Sequence, residues 1–133
     1  MISEVKTEEK FNSILSENLV TVVFFIKEDS DYSNELMGRI KLELVPDLRD
    51  VSGVALIKIP IDCEVDFTTY FNINEVPCTL VFYKGEKVSF YLQDKENKMY
   101  KTDRFMGNDP KLPNKLFRFI LNLFRKYKNE KSQ

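Results

Sequence analysis

The run Leu19-Val20-Thr21-Val22-Val23-Phe24-Phe25-Ile26, followed by the polar turn Ser30-Asp31-Tyr32-Ser33, decides how the chain is read. The first eight residues are nearly unbroken in apolar character and rich in β-branched and aromatic side chains. That pattern predicts a central strand covered on both faces. Ser30 or Asp31 then caps a helix whose apolar positions Leu36, Ile40, Leu44 and Leu48 recur at helical spacing. Pro46 falls inside that helix and is expected to kink or interrupt it, because proline removes a backbone donor and crowds the preceding turn.

Working outward, Ile2 to Val5 reads as a short first strand. Thr7 caps the first helix, Glu8 and Glu9 favour its positive end, and Asn18 ends it. Phe11, Ile14 and Leu15 share one face of that helix. Beyond Ser52-Gly53, a third strand is predicted over Val54 to Ile61, with Pro60 tolerable near its end. A short helix over Val65 to Phe71 follows. Cys78 to Tyr83 and Lys87 to Leu92 read as a hairpin around Lys84-Gly85. Gln93 to Asn108 looks the least ordered, and Leu112-Pro113 opens a last helix with proline in its first turn. Its apolar stripe is Leu116, Phe119, Ile120, Leu123, Phe124 and Tyr127, which leaves Phe117 exposed. The order predicts an α/β fold, a mixed central sheet of four to five strands flanked by helices. One domain is expected over residues 1–128, with a frayed tail over 129–133.

With 133 residues the chain is long enough for one domain with a real core and too short for two. Lys and Arg number 20 against 21 Asp and Glu, so the molecule as a whole recruits neither nucleic acid nor an anionic membrane. No apolar run approaches the ~20 residues needed to span a bilayer. The polar start Met1 to Lys6 is unlike a signal peptide, and two well-separated cysteines make no disulfide framework. Both features point to a reduced, intracellular setting. The chain has no histidine, which removes the commonest base for activating a serine and leaves no metal-ligand spacing.

Val76-Pro77-Cys78-Thr79-Leu80-Val81-Phe82-Tyr83, set against the Ser30–Ser33 turn, resembles the thioredoxin superfamily, in which a cis-proline strand faces the active-site turn. The resemblance implies a thioredoxin-like fold with Pro77 as the cis-proline and Lys58 in the superfamily's buried lysine position. Phe24 then replaces the buried aspartate, Asp29 replaces the tryptophan before the turn, and Ser30 and Ser33 replace the two redox cysteines. Disulfide exchange needs a thiolate attacking sulfur, which a hydroxyl cannot supply. A scaffold that binds and does not catalyse is the expectation.

A narrower match lies in Asp66-Phe67-Thr68-Thr69-Tyr70-Phe71-Asn72-Ile73 together with Val76-Pro77-Cys78-Thr79, the polar loop Gln93 to Lys101 and the pair Phe124-Arg125. These are similar to the DIM family, thioredoxin-like proteins of the spliceosomal tri-snRNP. The family keeps a cysteine where Ser33 stands, so its bridge to Cys78 is not expected here. The resemblance implies a nuclear, redox-inactive component of the pre-mRNA splicing machinery, with no cofactor and no small-molecule substrate. It would hold spliceosomal proteins, and small nuclear RNA through Lys111, Lys115, Arg118, Arg125, Lys126, Lys128 and Lys131. The alternatives are a cytoplasmic thioredoxin-like adaptor in another complex, or a single-cysteine redox protein using Cys78.

The candidate partner-binding residues are Ser30, Asp31, Tyr32, Ser33, Glu75, Val76, Pro77 and Cys78, with no catalytic or metal-ligating residue. Each also has a plainer reading. Ser30 and its neighbours are helix-capping residues. Cys78 is a small residue starting a strand. The C-terminal cations are the solvated face of an amphipathic helix. A Cys63–Cys78 bridge would exceed the ~7 Å Cα limit, so two free thiols are expected.

Overall fold

The computed structural model describes residues 1–132. Strand β1 (Ile2–Glu4) leads through Thr7 into helix α1 (Glu8–Glu17), where the Thr7 hydroxyl accepts from the Lys10 amide as a cap should. Strand β2 (Val20–Ile26) is buried at every position. Val20, Val22, Phe24 and Ile26 pack into one core, and Val23 and Phe25 pack into another on the opposite face. This two-sided burial is what the unbroken apolar run predicts.

Helix α2 (Asp31–Arg39) passes into a π-helical stretch, Ile40–Leu44, and then a short helix α3 (Val45–Asp47) that carries Pro46. Pro46 has no amide to give the carbonyl four residues back, and the wider turn, with the Val45 amide donating to the Ile40 carbonyl, absorbs the misfit. The same turn explains how Leu36, Ile40, Leu44 and Leu48 all stay buried. A strict spacing of four drifts about 40° per step around an α-helix, and the π turn takes up that drift.

Strand β3 (Val54–Pro60) pairs in parallel with both β1 and β2, and helix α4 (Phe67–Tyr70) is a single turn capped by Asp66. Strand β4 (Cys78–Tyr83) lies antiparallel to β2, which places Phe24 between Lys58 and Thr79. The sheet order is β1-β3-β2-β4, and the far edge of β4 is completed in two pieces. Strand β5 (Glu86–Lys87) pairs with Phe82 and Tyr83, and β8 (Phe105–Met106) pairs with Cys78 and Thr79. The central sheet is therefore mixed and six-stranded.

The chain between these two pieces corrects the sequence reading. The expected strand Lys87 to Leu92 leaves the sheet after Lys87, and β6 (Phe90–Gln93) instead pairs with β7 (Met99–Thr102) in a separate two-stranded ribbon. The segment read as least ordered thus holds two strands, β7 and β8, and the end of β6. Aromatic packing anchors it: Phe90 stacks on Phe105 at 4.5 Å and meets Phe119 edge-on at 5.0 Å.

Helix α5 (Leu112–Lys131) buries Leu112, Leu116, Ile120 and Leu123 against the α2 side of the sheet. Each fully buried Leu or Ile is worth roughly 1.5–3 kcal/mol. Phe117 is half-buried against the same core rather than exposed, a second correction. The helix continues to Lys131, past the expected domain end at 128, and Glu130 pairs with Lys84 at 2.8 Å. Gln133 lies outside the described residues. Among the described residues, no helix is long and apolar enough to cross a membrane.

Candidate functional site

Pairing of Phe25 with Cys78 sets the end of β2 beside the start of β4. The Ser30–Ser33 turn and the Val76–Pro77 loop therefore share one end of the sheet. Ser30 is the N-cap of α2, its hydroxyl accepting from the Ser33 amide at 3.3 Å. The Ser33 hydroxyl is fully buried and accepts from the Lys27 amide at 3.1 Å, stitching the end of β2 to the first turn of α2. The Asn34 side chain donates to the Glu28 carbonyl at 3.1 Å, closing the turn from its outer side.

Across from this turn, the Val76–Pro77 peptide bond is cis, as the resemblance implies. Pro77 is buried, and its carbonyl accepts from the Gly107 amide at 2.9 Å. Gly107 holds φ +80°, a region that favours glycine. Cys78 is fully buried, and burial pushes its thiol up to about 11, with the nearby Arg104 guanidinium opposing the shift. Cys63 is half-buried, and both thiols are free.

Of the eight residues read as partner-binding, the structure brings all to one end of the sheet but does not expose all. Ser33, Pro77 and Cys78 are buried, which removes their side chains from any contact surface. Asp31, Tyr32 and Glu75 are exposed, and Ser30 and Val76 are half-buried. Tyr32 stands out at 65% exposure. Around it the surface is acidic, with Glu28, Asp29, Asp31, Glu35 and Glu75 all exposed. Lys27 offsets Asp29 at 3.9 Å.

The sequence reading missed the clamp behind the proline loop. Arg104 donates to the Asn72 carbonyl at 2.8 Å and to the Phe71 carbonyl at 3.0 Å. Its Nε reaches the Asp103 carboxylate at 2.7 Å, and Lys87 reaches the same carboxylate at 2.7 Å. The Arg104 guanidinium, with help from Lys87 and against partial burial, holds the Asp103 carboxyl well below the usual carboxylate range. Asn72 sits at φ +56°, where asparagine is among the few tolerated residues. Nothing in the local sequence ties an Asp-Arg pair to carbonyls more than thirty residues earlier.

The C-terminal cations are exposed along α5. Lys115 is paired with Asp109 at 3.0 Å. Lys126 lies 5.2 Å from the Tyr83 ring, and Lys131 lies 4.8 Å from the Tyr127 ring. Among the described residues, no group of three or more His, Cys, Asp or Glu side chains is placed to hold a metal ion.

No protein-family model matches the chain, and no curated protein matches it. Solved structures do. The oxidised thioredoxin of Plasmodium falciparum superposes with a TM-score of 0.66 at 18% identity, covering 90% of this chain and 98% of that one. The thioredoxin of Trypanosoma brucei brucei gives 0.68 at 16% identity, covering 92% of each chain. A thioredoxin variant from Halobacterium salinarum gives 0.67 at 16% identity, covering 92% of this chain and 89% of that one. Identity at this level speaks for the fold alone. The fold is thioredoxin-like, an α/β domain with a mixed central sheet and helices on both faces.

Proposed function

We propose that this chain is a redox-inactive, thioredoxin-like protein-interaction module of the pre-mRNA splicing machinery, working in the nucleus as part of the tri-snRNP. One observation supports the binding half of this reading: Ser33 in the turn and Cys78 at the start of β4 are both buried, so neither is an accessible nucleophile. Ser33 is buried with its hydroxyl accepting from the Lys27 amide, and Cys78 is buried with its thiol pushed up to about 11. A thiolate is the reactive species, and a buried thiol with so high a pKa supplies almost none at neutral pH. The splicing half rests on the resemblance of Asp66 to Ile73 and Pro77-Cys78-Thr79 to the DIM family. The contact surface is centred on Tyr32 and Glu75, and the cations of α5 are available for small nuclear RNA.

The test is purification of the tagged protein from its native cells, followed by identification of the proteins and small RNAs that come with it. Tri-snRNP proteins with their small nuclear RNAs are the expected result; a stable partner set without them would defeat the splicing reading. The Tyr32→Ala/Glu75→Ala double variant should lose most of that capture while keeping its unfolding midpoint. Undiminished capture would place the contact surface elsewhere on the molecule.

A further inference from the structure

We propose that the groove between α1 and α4 is a second docking site, taking a partner segment in which an aromatic side chain is followed by arginine. The groove has a volume of about 460 Å³, within the ~300–1,000 Å³ typical of built ligand sites. It lies on the sheet face opposite α2 and α5, apart from the Tyr32 surface, and it is lined in part by Asp66, Phe67, Tyr70 and Phe71 of the stretch that carries the splicing reading.

Its floor is a cluster of phenylalanine rings. Phe11 lies 5.2 Å from Phe67 and 5.8 Å from both Phe71 and Phe82, the latter two pairs edge-to-face. The four rings are buried to 4–8% exposure, and the parts left open line the groove, where a further ring can meet them at the preferred ~4.5–7 Å centroid separation. Tyr70 forms the wall. It is 81% exposed, yet held edge-on to Phe71 at 4.7 Å, so its position is defined although water covers most of it.

The charge at the rim decides what accompanies the aromatic anchor. Glu8 and Asp66 line the groove, and no lysine or arginine does. The Asp66 carboxylate is held in place by the Thr68 hydroxyl at 2.7 Å and the Thr69 amide at 3.0 Å. Its pKa is lowered, chiefly by hydrogen bonds from Thr69, so it stays ionised. A cation is therefore favoured. Arginine suits the place better than lysine, because a planar guanidinium can stack on the Tyr70 ring while donating sideways to a carboxylate.

The probe is the dipeptide Ac-Phe-Arg-NH2, titrated into the isotopically labelled full chain and followed by amide chemical shifts, with Ac-Phe-Glu-NH2 as the charge-reversed control. Saturable shifts confined to residues 8–15, 65–71 and 82–85, the stretches that line the groove, are expected, with a Kd of about 1 mM or below. The glutamate peptide should bind about tenfold more weakly. Tyr70→Ala, at an exposed position that leaves the core intact, should weaken Ac-Phe-Arg-NH2 about threefold to fivefold, and Glu8→Gln about twofold. Equal shifts with the two peptides, shifts away from the groove-lining stretches, no saturable shift, or a Tyr70→Ala variant that binds like the parent would each overturn the proposal.

Discussion

The Lys27 amide donates to the buried Ser33 hydroxyl across 3.1 Å, and this bond joins the central strand to the helix that follows it. The serine hydroxyl serves here as a structural acceptor. Removing the hydroxyl takes the acceptor away from a part-buried backbone donor. Ser33→Ala should therefore cost about 1–2 kcal/mol of stability, read as a lower urea midpoint with an unchanged slope. A shift below a few tenths of a kcal/mol would mean that water satisfies the Lys27 amide equally well.

Arg104 holds the Phe71 and Asn72 carbonyls with a side chain only 19% exposed. Arg104→Ala should destabilise by about 2–3 kcal/mol, and Arg104→Lys by less, because an ammonium cannot reproduce the forked geometry. Additive losses in a double-mutant cycle with Asp103→Ala would show that the two residues act independently.

The same carboxylate makes stability depend on pH in a stated direction. Asp103 has a folded-state pKa below its ordinary value of 3.8. A lowered pKa means the unfolded chain takes up the proton first, so the stabilisation is present above the ordinary value and is lost as pH falls. Urea midpoints should drop between roughly pH 5 and pH 2, and Asp103→Asn should flatten that drop. Asp66 and Asp109 shift the same way, so the comparison with the parent is the informative one. An identical pH profile for the variant would contradict the Lys87–Asp103–Arg104 network.

Cys78 is fully buried, its thiol pushed up to about 11 from an ordinary 9.0. Its thiolate population at pH 8 should then be about a hundredfold below that of a free thiol. In the native state iodoacetamide should modify the half-buried Cys63 first and reach Cys78 at a comparable rate only after unfolding. Fast labelling of Cys78 in the folded protein would revive single-cysteine chemistry.

Thr79 is buried beside Phe24 in the sheet register, and its hydroxyl has no hydrogen-bond partner among the described residues. Replacing it with the similarly shaped valine removes an unpaired polar group from the core. Thr79→Val should be neutral or stabilising by up to about 1 kcal/mol. A clear loss of stability would show that the hydroxyl has an ordered partner such as a bound water.

Strong local signals made much of the fold legible. The all-buried β2, the Thr7 and Ser30 caps, and the apolar stripe of α5 each follow from periodicity or capping chemistry that a few neighbouring residues determine. The β5–β6 region was not legible, because Lys87 to Leu92 satisfies a strand pattern whichever partner it pairs with. Phe90 is held off the sheet by stacking on Phe105 and by its edge-on contact with Phe119, which are distant in sequence. The candidate site divides along the same line. Tyr32 and Glu75 are exposed as expected, whereas the burial of Ser33, Pro77 and Cys78 depends on elements that close over them.

By itself, then, the amino-acid order determined the main helices and the strands β1 to β4, and that the turn after β2 carries serines and no thiol. Those properties depend on side-chain identity and near-neighbour spacing. Tertiary structure alone decided that Arg104 clamps the carbonyls beside the proline loop, that β4 gains its outer edge from two separate strands, and that five aromatic rings gather between α1 and α4. Contacts of that kind join residues far apart along the chain, and only the packing of the whole sheet and its helices brings them within reach of one another.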